Sequence, residues 1–190
     1  MTTSADIRTS FINALKGVTG AGQSVFSPFD WPTAPGSYPM ILVRAPRERK
    51  ESLGRNAPLF TVTTTIEIIA RTQSPGQIGD LGSATALAEA EQLKMQIETA
   101  LINNPAVWAD SNGHQVIQQF SSVESDLTTS SDGQMPMAEL LIHIEVEFVQ
   151  GPEDFFPISG TPLEEIGGVV PMPDGTVEPT FSIPIPPPIS

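Results

Sequence analysis

The sequence predicts an α+β fold: a four-stranded antiparallel sheet with two helices on one face, followed by an extended proline-rich C-terminal arm. Three observations carry this. Two segments, 59–72 and 137–149, alternate apolar and β-branched or polar residues with period two, as half-buried strands do. Two others, 5–16 and 84–103, carry apolar stripes at helical spacing. The last stretch, residues 151–190, holds ten prolines and six acidic residues but no Lys or Arg. Such a composition denies the arm helices and central strands. The 190 residues suit one domain, residues 1–150, plus this appendage, residues 151–190.

The elements follow in order. In ADIRTSFINALK, Ile7, Phe11, Ile12 and Leu15 share one stripe; Ser4 is the expected cap, and Gly17 and Gly20 end the helix. Residues 21–39 set Phe26, Phe29, Trp31 and Tyr38 among four prolines, which predicts a loop pinned by aromatics. MILVR, residues 40–44, reads as a short strand. The basic run RAPRERKESLGR follows as its connecting loop to the strand LFTVTTTIEIIART. In that strand Phe60, Val62, Thr64, Ile66, Ile68 and Ala70 share one face. The second helix spans 84–103, capped by Ser83, with Leu87, Ala90, Leu93, Ile97 and Leu101 buried. A strand is expected at 115–123, then a hairpin signal at Asp132-Gly133, then MAELLIHIEVEFV, with Ala138, Leu140, Ile142, Ile144, Val146 and Phe148 facing the core. The opposite sheet face then carries Glu67, Arg71, Glu139, His143, Glu145 and Glu147. For the arm, a disordered terminus and an extended segment docking apolar residues on another subunit both fit.

Composition narrows the chemistry. The net charge is −13, divided into +3 over residues 1–71 and −16 over 72–190. Phosphate binding needs a basic footprint, so nucleic-acid binding is not the expected main activity. Cysteine is absent, which excludes disulfides, zinc-thiolate sites and thiol catalysis. The N-terminus shows no charged and apolar regions of a signal peptide, and no apolar run reaches the length of a membrane span. No P-loop, dinucleotide fingerprint, HExxH or GxSxG motif occurs. Glu139, His143, Glu145 and Glu147 could in principle share a metal, but alternate residues on one strand stand ~7 Å apart, and a polar strand face is the commoner meaning. Neither cofactor nor catalytic residue is expected. The basic residues Arg44, Arg47, Arg49, Lys50 and Arg55 suit contact with an acidic partner or the acidic face of a neighbouring copy; a solvated hairpin loop is the alternative.

The order of these elements has a parallel. The N-terminal helix, VFSPFDWPT, YPMILVR, the charged segment, FTVTTTIEIIAR, ATALAEAEQLKMQIETAL and AELLIHIEVEFV together resemble tail terminator proteins of long-tailed bacteriophages, the lambda-type minor tail proteins and their relatives. The resemblance covers about residues 4–150 and lies in element order rather than in an invariant motif. It implies a non-enzymatic virion protein assembled in the host cytoplasm. Such proteins cap the tail tube as a homohexameric ring at the head–tail junction, end tube polymerisation and meet the head-side connector or neck proteins, while DNA passes through the lumen without specific binding and no membrane is involved. A head–tail joining or tail-completion protein of the neck is the alternative. On this reading Arg44, Arg47, Arg49, Lys50 and Arg55 are candidate contacts between subunits or partners, and Glu139, Glu145 and Glu147 form an acidic face toward lumen or partner. A metal-dependent hydrolase and a host adaptor acting through the arm are rival classes.

Overall fold

In the computed structural model the chain forms two compact units, Met1–Phe155 and Phe156–Ser190. The structure describes residues 2–27, 37–55, 58–110, 112–130, 135–155, 165–169 and 180–184. In the first unit the order is helix α1 (Ser4–Leu15), strands β1 (Val25–Phe26), β2 (Met40–Ser52) and β3 (Phe60–Gln73), helices α2 (Leu81–Leu101) and α3 (Pro105–Trp108), then β4 (Gln119–Ser130) and β5 (Met137–Gln150). The fold is mixed α+β, as the patterning predicts.

The sheet has five strands rather than four, in the order β1-β2-β3-β5-β4, and its first pair is parallel. The fifth strand comes from the loop expected at 21–39. Val25 is buried, and the Ile41 amide donates to the Ser24 carbonyl, so this short segment finds a ladder despite the prolines that follow. Phe29, Trp31 and the Asp132-Gly133 turn lie outside the described residues.

The central strands match their patterns. On β3 the buried residues are Val62, Thr64, Ile66, Ile68, Ala70 and Thr72; on β5 Ala138, Leu140, Ile142, Ile144, Val146 and Phe148 are each 0% exposed. Both helices cover this face. In α1 the buried residues are Ile7, Phe11, Ile12 and Leu15, as its stripe requires, but the cap is Thr3 rather than Ser4. The Asp6 amide donates to Thr3 Oγ1 while Thr3 N–H donates to the Asp6 carboxylate, a reciprocal box that Ser4 could not close. Gly17, at φ +71°, turns the chain out of the helix.

The second helix begins earlier than its stripe suggests, at Leu81 instead of 84, with Asp80 in the left-handed region and Ser83 already inside the helix. It ends at Leu101 rather than 103, and Leu87 is half-buried while Gly82, Ala86 and Ala90 are buried. These small residues let the helix approach the sheet closely; Ala86 and Ala90 pack on Ala138, and Thr72 Oγ1 donates to the Ala86 carbonyl at 2.6 Å. A Cβ on Gly82 would stand 2.6 Å from the Pro75 carbonyl oxygen. Gly82→Ala is therefore expected to cost about 1–3 kcal/mol, by the logic of overpacking, and to lower the urea midpoint of unfolding.

In the second unit, β6 (Glu165–Val169) pairs antiparallel with β7 (Thr180–Pro184). The composition predicts an extended arm; the described residues form a two-stranded ladder. Both strands are edges, which is the setting where Pro184 is tolerated.

Candidate functional site

The basic run is a strand and not the loop predicted for it. β2 continues through Arg47, Glu48, Arg49, Lys50, Glu51 and Ser52, paired with Thr65 to Phe60 of β3. Alternation of apolar residues could not reveal this extension, because Pro46 to Ser52 are all exposed. The ladder runs on past the core. Between Arg44 and Arg47 the register shifts: Arg44 faces Glu67, Arg47 faces Thr65, and Ala45 and Pro46 oppose Ile66 alone. This is a β-bulge, placed where a proline cannot donate to a ladder. Its effect is to bring Arg44, Arg47 and Arg49 onto one face, the face opposite the helices.

A second shift, between Phe120 and Ser122 of β4, does the same on the far side. Pairing through β5 sets Ser122 beside Glu145, Glu124 beside His143 and Asp126 beside Leu141, all on that open face. The sequence placed this strand at 115–123, too early, because Ser, Thr and acidic residues from Glu124 to Ser130 hide its period. Glu124 and Asp126 were therefore missed as site residues; the spacing of Val123 and Leu127 was the available signal.

The open face is divided by charge. β2 contributes Arg44, Arg47 and Arg49, with Glu51 at its end, whereas β5 and β4 contribute Glu139, Glu145, Glu147, Glu124 and Asp126. Glu67, with a side chain only 12% exposed, joins the halves: one oxygen pairs with the Arg44 guanidinium and the other lies 3.4 Å from His143 Nε2. Arg71 pairs with Glu139. Glu145 accepts from Ser122 Oγ at 3.1 Å, and Glu147 accepts from Gln119 Nε2 at 2.6 Å. Pro46, Arg47, Glu67, Glu124, His143 and Glu145 border a concavity of about 490 Å³. Among the described residues no three of His, Cys, Asp and Glu converge closely enough to hold a metal ion.

The predicted basic group does not stay together. Arg44, Arg47 and Arg49 share the open face, but Lys50 points to the other side. Its Nζ donates to Gln150 Oε1 at 2.7 Å, lies 3.3 Å from Glu48, and sits 5.3 Å from the centre of the Phe155 ring. Gln150, 1% exposed, also donates to the Thr2 carbonyl at 2.7 Å. Lys50 thus ties the end of β2 to β5 and the N-terminus, a structural task. Arg55 follows the strand and is exposed.

No family model matches the chain, and no curated protein matches it. Among solved structures the chain is similar to a chain of the "Virion of native gene transfer agent (GTA) particle". The TM-score is 0.38 at 14% identity, over 66% of this chain and 80% of that one. A likeness of this size decides neither fold nor function. No helix among the described residues is long and apolar enough to cross a membrane.

Proposed function

We propose that this chain is a structural subunit of a phage-type virion, a member of a homohexameric ring that caps the tail tube at the head–tail junction. The ring ends tube polymerisation, offers its outer surface to the connector or neck proteins, and lets DNA through its lumen. The proposal assigns the chain no reaction and no cofactor.

The element order of residues 4–150 supports the family reading, and one observation carries the mechanism: the charge-divided open face of the sheet. Carboxylates on β5 and β4 give one half a negative potential that repels DNA phosphates, so a duplex passes without adhering. Arginines on β2 give the other half the means to meet a carboxylate-rich surface. One molecule thus presents a surface to slide past and a surface to hold.

Electron microscopy of assembled particles labelled through this protein tests the reading. Label is expected at one end of the tail tube, at the junction with the head, with six copies per particle as the family resemblance implies. Label along the tube, or absent from particles, would overturn it. Binding to portal–adaptor complexes but not to tubes would select a neck protein instead.

A further inference from the structure

We propose that copies of this chain join edge to edge, with β4 of one copy adding antiparallel to the outer half of β2 in the next, in a register that places Glu124 opposite Arg49 and Asp126 opposite Arg47. This deepens the ring reading by naming its joint, and rests on that reading for closure of the ring.

Both edges are open among the described residues. Among the described residues β1 covers β2 only at Ile41 and Leu42, and from Arg47 to Ser52 the strand is paired with β3 alone. Among the described residues β4 is paired with β5 alone from Gln119 to Thr129. Each edge leaves backbone donors and acceptors available to another strand.

Strand direction fixes the sense of the joint. β2 is antiparallel to β3, β3 to β5 and β5 to β4, so β2 and β4 run in opposite directions. In a cyclic arrangement the next copy keeps the same orientation, and its β2 meets β4 antiparallel. The alternation continues unbroken through the joint, with the open faces on the same side.

Charge fixes partner and register. Arg47 and Arg49 lie two residues apart on the open face of β2, and Glu124 and Asp126 lie two apart on the same face of β4. Residues two apart on a strand are ~7 Å apart on either side of a joint, so the two pairs match. Directly opposed unlike charges stabilise a strand pair and like charges oppose it. Two β2 edges in the register that opposes Arg47 to Arg49 would set arginine against arginine, and two β4 edges in the register that opposes Glu124 to Asp126 would set carboxylate against carboxylate. In those registers the charges disfavour a two-fold dimer, whereas the head-to-tail joint opposes unlike charges at both positions and propagates around a ring. In the same register Ser122 falls opposite Glu51.

The absence of cysteine makes the joint readable by cross-linking. The double variant Glu51→Cys, Ser122→Cys of the full chain, treated with a short bis-maleimide alone and with tail tubes added, is expected to give a ladder of dimers and higher species on a denaturing gel. Each single variant is expected to give none. Adding Arg47→Glu and Arg49→Glu should reduce the ladder about tenfold or more, and adding Glu124→Arg and Asp126→Arg to that variant should restore it. Absence of a ladder in both conditions overturns the proposal, as does a ladder insensitive to charge reversal. The two readings fail separately: tube binding without a ladder removes the joint alone, while a ladder without tube binding removes the tail reading and keeps the joint. All the altered side chains are on an exposed edge or at the sheet surface, and an unchanged far-UV circular dichroism spectrum confirms that each variant is folded.

Discussion

Ile142→Asp is expected to abolish folding at neutral pH. Ile142 is 0% exposed in the middle of β5, opposite Ile68 on one side and Ser125 on the other. The substitution removes a buried aliphatic side chain, a loss of about 2–5 kcal/mol by comparison with core truncations. It also places a carboxylate among Ile and Leu side chains, where an unpaired charge costs several kcal/mol more. The sum rivals the ~5–15 kcal/mol that holds a typical domain together. Burial raises the folded-state pKa of the new carboxyl, so its charging penalty is absent below the unfolded value of ~3.9 and grows as pH rises toward the folded value. Ile142→Asn carries no such proton. The gap in stability between the two variants should therefore widen with pH from about 4 upward. A normal melting transition for Ile142→Asp at pH 7 would show that this face of β5 is not the core.

The second large effect is expected at Phe11. This side chain is 0% exposed, and its ring lies 6.1 Å from that of Phe120, which in turn meets Trp108 edge-on at 5.1 Å. Three elements, α1, β4 and α3, are joined by these rings. Phe11→Ala should cost about 3–5 kcal/mol, as large aromatic truncations do. It should also alter the near-ultraviolet circular dichroism that Trp108 and its neighbours produce. A loss below about 1 kcal/mol, read from urea unfolding, would mean that α1 is not seated on the sheet through this ring.

The core was legible in the sequence because it is written in apolar period. Phe11 and Leu15 repeat at helical spacing, and the six inward residues of β5 alternate without exception. The candidate site was legible only in part. Glu139, Glu145 and Glu147 were readable as outward residues, since the buried partners between them fix their direction. Arg47 and Arg49 were visible as charges but not as members of a strand, because nothing apolar lies between Pro46 and Ser52 to mark the period. Lys50 looked like their equal in composition; its partnership with Gln150 is set by strand phase, which composition does not contain. Glu67 was placed on the open face, yet its role as the link between Arg44 and His143 depends on cross-strand register. Glu124 and Asp126 are hard to read for a related reason: apart from Val123 and Leu127 the outer part of β4 is polar on both sides, so its apolar period is faint.

The bulge at Ala45 and Pro46 gives the charge pattern a property that substitution tables miss. It works as a frame setter for β2. One residue out of step, the same sequence would carry Glu48 and Lys50 on the open face and send Arg47 and Arg49 to the other side, exchanging two like charges for an opposed pair. No side chain would have changed. The polarity of this edge is stored in a single inserted backbone unit, so insertions and deletions near Pro46 have more power to rewrite what the surface recognises than replacement of any one arginine.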